Sequence, residues 1–546
     1  MKICLSSPAW TRHGTTWCRG YAIVEHRCLE GEALACYFDE ADTIAVLLQK
    51  LKEANGMFAV VKDWGHRVAL AVDRVRSVPL FFSSGGPLAI SDTPYAVAPL
   101  PAQRDLASLC WYRASGAVLP GQTLDRRVRQ VPAGALLEVE TSTSRLCSIW
   151  RYCSFLCREE EASTATTDDL STAVEHAFAN LDSSVAGHPL VVPLSGGYDS
   201  RLIACLLKEH GHNNVICFNV GTPGSHEHQT AERVATRLGY EYHFVDVSKH
   251  EVFSPDVLRS EDFRRYSLYL GGYTNFEWLF EYVAMRHLLR QQVVGVDAIV
   301  VPGHSGDFLA GSHLAKGGVD NRCSARQLAL AMAYRSFEGR SNWKVLRQLH
   351  CLFAQKISEG YTPASVYEDF IMSHRQAHQI VNSSRVYNYL GMQTRLPLWD
   401  DELIQFFRCL DQGQRKHCQL YLEYVHGVFR HHGVDYLRYG GDAPKPAASL
   451  VRRWAMQLLP SALVHRLRHT TSQTGEPLLA QPLYDELSSL GYYSFWHQPL
   501  SSNQIISDWY LCSCGPMRWG RPLILTAIRP PNNGVRLPCQ FLQIYY

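Results

Sequence analysis

The sequence has 546 residues, enough for two or three domains. Its 46% hydrophobic and 19% charged residues and net charge of +2 are those of an ordinary globular chain, and they give no reason to expect nucleic acid or another polyanion as a partner. The 17 cysteines include no Cys-x-x-Cys pair (Cys512-Ser-Cys514 comes nearest), which argues against a disulfide framework or a zinc site. Met1 to Gly20 lacks an apolar core of the signal-peptide kind, and no run approaches a membrane span. The expectation is a cytoplasmic protein with no membrane partner.

In chain order, residues 1–155 read as a β-rich domain. Short alternating segments dominate it: Gly20 to Val24, Phe58 to Lys62, Val68 to Val72, Pro79 to Phe82 and Leu136 to Glu140, with one helix from Thr43 to Ala54. Residues 156–170 are acidic and rich in Ser and Thr, and read as a linker. A helix from Asp168 to Ala179 leads to an apolar strand, Pro189 to Leu194. The turn Leu194-Ser-Gly-Gly-Tyr-Asp-Ser200 follows, then a helical segment ending at Glu209 and a second apolar strand, Val215 to Val220. Strand, Gly-containing turn, helix and strand make a βαβ unit. The turn then sits at a helix N-terminus, where free N–H groups and the helix dipole favour an anion. Gly196 and Gly197 allow close backbone approach to a phosphate, and Ser195 and Ser200 add hydroxyl donors. Asp199 would repel a phosphate unless a cation bridged them, so it is expected to bind Mg²⁺.

Further along, a helix near Thr230 to Leu238 and a third strand, Tyr242 to Val247, continue the alternation expected of a parallel, doubly wound sheet. Ile299-Val-Val-Pro-Gly-His-Ser-Gly-Asp-Phe-Leu-Ala-Gly311 again runs from an apolar strand into a Gly-rich turn. Residues 325–425 are helical by pattern, and amphipathic helices are expected at Leu450 to Leu459 and Leu478 to Leu490. Residues 511–546 show no periodicity and read as an irregular tail.

Several of these stretches resemble one family. Ser195-Gly-Gly-Tyr-Asp-Ser200 is similar to the pyrophosphate loop of the ATP pyrophosphatases, which cut ATP between its α- and β-phosphates. Asn55-Gly-Met-Phe-Ala-Val-Val61 and Leu70-Ala-Val-Asp-Arg-Val-Arg-Ser-Val-Pro-Leu-Phe-Phe82 resemble the amidotransferase domain of glutamine-hydrolysing asparagine synthetases. The turn ending at Gly311 resembles that family's Ser-Gly-Glu-Gly-x-Asp-Glu-Leu-Phe-Gly-Gly, and Arg395-Leu-Pro-Leu-Trp-Asp400 its Arg-x-Pro-Phe-Leu-Asp signature. The resemblance implies an α/β protein. Residues 171–510 would be a doubly wound ATP pyrophosphatase domain, and residues 1–155 an N-terminal-nucleophile-like domain. It implies ATP and Mg²⁺ as cofactors, with Asp307 facing Asp199 across the metal, Gly303 beside the phosphates and the backbone at Val220 near adenine. Arg395 and Asp400 are expected to fix a turn by pairing with each other. Lys445 is the one candidate for the family's late adenylate-stabilising lysine, with a solvated loop lysine as the other reading. His304 stands where the family has Glu; it reads either as a group that orients or deprotonates the amine, or as a packing histidine.

The departures concern nitrogen delivery. The family's nucleophile is a Cys directly after the initiator Met, where this chain has Lys2, and Cys4 lacks the free α-amino base. The implied glutaminase function is therefore absent. The implied chemistry is adenylation of a carboxylate, release of pyrophosphate, and attack by ammonia (free or from a separate glutaminase) or by an amine. The loop and turn variants look like those of asparagine synthetase-like proteins of bacterial surface-polysaccharide pathways, which points to a small-molecule carboxylate such as a sugar uronic acid. Asparagine synthesis, macrolactam-forming peptide cyclisation and a non-catalytic relic are the alternatives.

Overall fold

The computed structural model describes residues 1–98, 102–185, 187–335, 337, 343–434, 476–490, 492–493, 499 and 501–514. In the N-terminal region a seven-stranded antiparallel sheet packs on a four-stranded one. Its central strand, Asn55–Asp63, alternates between two cores. Phe58 and Val60 face Leu34, Phe38, Leu47 and Leu51 on the helices Gly31–Asp39 and Ile44–Glu53. Ala59 and Val61 face Leu80, Phe82 and Ile90 of the smaller sheet. Burial of both faces accounts for the continuous apolar run there, since successive side chains of a strand point to opposite sides.

The expected strands are present, with Pro79 to Phe82 displaced to Phe81–Ser83. The single expected helix is Ile44–Glu53, capped by Thr43, whose hydroxyl accepts from the Val46 N–H at 3.3 Å. Two further helices of similar length, Gly31–Asp39 and Leu106–Ser115, escape the sequence reading. Leu106–Ser115 is buried along most of its length, which erases the amphipathic period by which a helix is found.

The second region is built on a five-stranded parallel sheet. Its order is Glu241–Asp246, Val215–Gly221, Leu190–Pro193, Ile299–Val300, Gln393–Thr394. Leu190 and Val192 point into one core, with the helices Thr167–Val185 and Tyr198–Glu209. Val191 and Val300 point into the other, with Glu261–Gly271 and Leu279–Arg290. The sheet is thus doubly wound, as expected. Strand order reverses between Leu190–Pro193 and Ile299–Val300, so the crevice beyond their carboxyl ends is the topological switch point where such sheets bind ligands.

Polar contacts join the two regions, and they correct the expected Arg395–Asp400 pair. Arg395 pairs instead with Glu30 at 2.8 Å, donates to the Ser184 carbonyl at 2.9 Å, and lies 3.9 Å from the centre of the Tyr21 ring. Asp400 caps the helix Asp401–Cys409 and accepts from the side-chain amides of Asn55 and Asn180. The two residues flank a turn but face different partners. The linker is also more tightly held than its composition suggests: Glu159–Glu161 is exposed, whereas Ser163 N–H donates to the Cys409 carbonyl at 2.8 Å. The start of the tail needs correcting too. Tyr510 and Leu511 are buried in a helix continuing from Ser502–Trp509, and the Tyr510 hydroxyl accepts from the Tyr273 N–H at 3.1 Å. The expected helix at Leu450 to Leu459 and the tail beyond Cys514 lie outside the described residues. Among the described residues no helix is long and apolar enough to cross a membrane.

Asp400→Ala removes a helix cap and leaves two asparagine amides without their acceptor. It is expected to cost about 2 kcal/mol or more, read as a lower urea midpoint of the full chain. Asp400→Asn, which keeps the capping oxygen, is expected to lose less.

Candidate active site

The Ser195–Ser200 loop leaves the sheet at Pro193 and is held by its own hydroxyls. Ser200 Oγ accepts from the Ser195 N–H at 3.0 Å and lies 2.9 Å from Ser195 Oγ, which in turn accepts from the Gly197 N–H at 3.1 Å. Leu194 is buried and its carbonyl accepts from the Asn219 side-chain amide at 2.9 Å, which ties the loop to the end of the neighbouring strand beside Val220. The helix Tyr198–Glu209 begins at Gly197 with no side-chain cap. Its first N–H groups thus have no side-chain cap, the condition under which a helix N-terminus can take an anion.

The Gly-rich turn of Gly303 to Asp307 approaches this helix closely. A Cβ on Gly303 would lie 2.4 Å from the Ser200 nitrogen, and one on Gly306 would lie 2.6 Å from the Tyr421 hydroxyl and 2.9 Å from Asp199 Cγ. Only glycine fits at either position. The approach lets the Asp307 N–H donate to Asp199 Oδ2 at 2.9 Å, while the Tyr421 hydroxyl donates to Oδ1 at 2.7 Å. The structure thus brings Asp199 and Asp307 together, 108 residues apart in sequence.

Burial, and next the charge of Asp307, push the Asp199 carboxyl up to about 7 despite those two hydrogen bonds. For Asp307 burial also acts upward, but His313, Lys316 and the Ser312 hydroxyl outweigh it and hold the carboxyl below its usual range. Ser312 Oγ lies 2.7 Å and Lys316 Nζ 3.5 Å from Asp307 Oδ2. Burial pushes His313 down to about 4, so at neutral pH Lys316 and Arg375 are the cations acting on Asp307, and His313 adds its charge only at low pH. Asp199 is left as a carboxylate whose charge is incompletely balanced. Two hard oxygen donors in that state fit Mg²⁺, which would restore the balance; Asp199 and Asp307 are the residues that would hold it.

His304 lies in the same turn, and burial pushes it down to about 4, so it is neutral at physiological pH. The turn is braced from behind: Ser305, in the left-handed region at φ +78°, donates from Oγ to Gln376 Oε1 at 2.8 Å. Lys445 lies outside the described residues. Sequence reasoning missed Tyr421, Ser312, His313, Lys316 and Gln376. His313 and Lys316 follow closely on Asp307, and basic residues just after a Gly-rich acidic turn are a usable signal. Tyr421 carries none, being one aromatic in an amphipathic helix 222 residues from its partner.

A family model described as asparagine synthase matches residues 173–490. The chain is 27% identical over 299 residues to carboxyethyl-arginine beta-lactam-synthase of Streptomyces clavuligerus, covering 54% of this chain and 52% of that one. It is 36% identical over 80 residues to the tRNA-specific 2-thiouridylase MnmA of Campylobacter lari, covering 13% and 24%. The chain thus spans between about a quarter and about half the length of the curated relatives it matches. Among solved structures, an NH3-dependent NAD synthetase from Campylobacter jejuni is similar at a TM-score of 0.19 and 17% identity, over 36% of this chain and 77% of that one. A glutamine phosphoribosylpyrophosphate amidotransferase from B. subtilis scores 0.17 at 12% identity, over 54% and 58%. Scores this low do not bear on the fold.

A carboxyl raised by burial carries a stability signature. Unfolded chains release the Asp199 proton near pH 4, whereas the folded protein keeps it to about 7. In metal-free buffer the folded state therefore loses stability as pH rises from about 4 through 7. Asp199→Asn, which mimics the protonated form, is expected to lose less over that window. Thermal unfolding of both proteins against pH checks this; equal slopes would count against the raised value.

Proposed function

The chain belongs to the asparagine synthase family, and from that premise we propose that it is an ATP-dependent amide-forming ligase releasing AMP and pyrophosphate. The observation that carries this reading is the meeting, at the switch point, of an uncapped helix N-terminus behind Ser195-Gly-Gly with the Asp199–Asp307 pair.

In the proposed reaction the β- and γ-phosphates of ATP rest against the N–H groups of Gly196, Gly197 and the first helical turn, and against the hydroxyls of Ser195 and Ser200. Adenine lies along the strand end at Val220, and Gly303 lies beside the phosphates, its bare Cα letting its turn pack on the Ser200 backbone. Asp199 and Asp307 would hold Mg²⁺, whose charge would offset that of the leaving pyrophosphate. A substrate carboxylate oxygen attacks the α-phosphorus, the α–β bridging bond breaks, and an acyl-adenylate forms. A nitrogen nucleophile then attacks the acyl carbon; an amide forms, AMP leaves, and the nitrogen gives up its proton. Neutral His304 is the group we assign to orient the amine; its burial disfavours the imidazolium, so the proton passes to solvent. Lys445 stays the candidate for the family's late adenylate-stabilising lysine on the resemblance alone, with a solvated loop lysine as the other reading. Most of the catalysis in this scheme is positioning and preorganised charge.

In this reading the N-terminal domain is assigned no glutaminase. Nitrogen then arrives as ammonia, free or from a separate glutaminase, or as a substrate amine. The small-molecule acid we favour is a sugar uronic acid, with aspartate as the family's own alternative. Similarity to a protein named for making a β-lactam, a cyclic amide, favours a second reading in which amine and carboxylate belong to one molecule.

The test is Mg²⁺-dependent release of AMP and pyrophosphate with a panel of uronic acids, nucleotide-uronates and aspartate, each with ammonium or glutamine, and with amino acids carrying both amine and carboxylate. Release with one external acid and ammonium supports the first reading, and release with an amino acid alone supports ring closure. Equal use of glutamine would overturn the assignment of the N-terminal domain. Asp199→Ala is expected to abolish AMP formation while the chain still folds. Because Asp199 must lose its proton to bind a cation, Mg²⁺ affinity is expected to rise as pH passes upward through about 7.

A further inference from the structure

On the far side of the loop helix from the crevice, a second cluster of metal-ligating side chains converges. The helix Tyr198–Glu209 ends with Glu209, and the helix Gln419–His432 ends with His431 and His432. One ligand atom from each of the three lies within 4.8 Å of the others. His432 Nε2 is 2.8 Å from Glu209 Oε1, and the two imidazole rings meet edge to face at 87° with centroids 5.1 Å apart. We propose that Glu209, His431 and His432 bind a divalent transition-metal ion of the zinc class, joining the carboxyl ends of these two helices.

Three independent features support the site. Its donors are two imidazole nitrogens and one carboxylate oxygen, a set that suits Zn²⁺, Co²⁺ or Ni²⁺ and leaves a fourth position for solvent. This set differs from the all-oxygen pair at Asp199 and Asp307, so the two sites select different ions. Both helices present their C-termini here, where the negative ends of two helix dipoles favour a cation. The helix end is also fixed from outside: the His432 carbonyl accepts from Arg237 Nε at 3.0 Å, and Gly433 closes the helix in the left-handed region at φ +61°. Glu209 and His431 are exposed, so an ion can enter from solvent.

The neighbouring histidines form a separate group. His210 and His212 each turn a ring nitrogen to Asp182 at 2.7 Å. The consequence for the crevice follows from the two helices. The first turn of one carries Asp199, the first turn of the other carries Tyr421, and further along Phe429 stacks on Tyr198. A metal at their far ends would fix the spacing that the Tyr421–Asp199 hydrogen bond requires.

The test needs no ATP chemistry and is independent of the proposed function. The full-length protein, stripped with EDTA, is titrated with Co²⁺ and Zn²⁺ by visible absorption and calorimetry. One equivalent is expected to bind tightly, with a spectrum lacking thiolate charge transfer, and Zn²⁺ is expected to raise the thermal midpoint. Glu209→Gln and the exposed His431→Ala are each expected to weaken binding at least about tenfold and to remove the thermal shift. Asp182→Asn is expected to leave both unchanged. Unaltered affinity in His431→Ala and Glu209→Gln, a thiolate spectrum, loss of binding in Asp182→Asn alone, or no binding at all would overturn the site.

Discussion

The close approach of two loops from opposite sides of the sheet's switch point is the constraint on which this structure turns. Gly303 lies against the backbone of Ser200, and Gly306 against Asp199 and Tyr421; any side chain at either position would push the two loops apart. The contact converts two carboxylates distant in sequence into one electrostatic unit. Its cost is the desolvation of Asp199, which is met only in part by the Asp307 N–H and the Tyr421 hydroxyl. An incompletely balanced charge at a ligand crevice is a common mark of a site whose remaining partner comes from solution.

Buried ion pairs hold the frame around that contact. Arg415 makes a bidentate pair with Glu368 at 2.5 and 2.7 Å and donates to the Leu309 carbonyl at 2.9 Å, so the turn that carries Asp307 is anchored from behind. Arg151 pairs both oxygens of Asp369 at 2.8 Å and thereby joins the last strand of the N-terminal sheet to the helix that precedes Gln376. Such pairs add little net stability when desolvation is counted, but breaking one partner is expensive, and their bidentate geometry fixes orientation. The N-terminal region is in this sense part of the frame of the crevice: Asn55, Arg74 and Arg151 each reach across to it.

The two loops that meet at the crevice differ in chemical character. Where the family motif carries a glutamate, this chain has a neutral imidazole, and the residues after Asp307 add Ser312, His313 and Lys316. In the structure the Ser312 hydroxyl and the Lys316 ammonium gather on the Asp307 carboxylate. The Ser195–Ser200 loop, by contrast, is built of backbone N–H groups and two hydroxyls.

Features set by neighbours along the chain are readable from residue order alone. The loop from Leu194 to Ser200, the strand on each side of its helix, the doubly wound alternation and the candidate acids Asp199 and Asp307 were all legible. Their signals are glycine positions, apolar runs and a helix start within a few dozen residues. Only the tertiary structure decided the rest. Arg395 and Asp400, close in sequence and opposite in charge, face Glu30 and two asparagines instead of each other, because the partners that satisfy them come from distant elements. Tyr421 reaches Asp199, and His431 and His432 reach Glu209, through the packing of two helices more than 200 residues apart. Local spacing records which side chains share a face of one element. Which face meets which is settled by burial of the whole core, and no short window of sequence contains that.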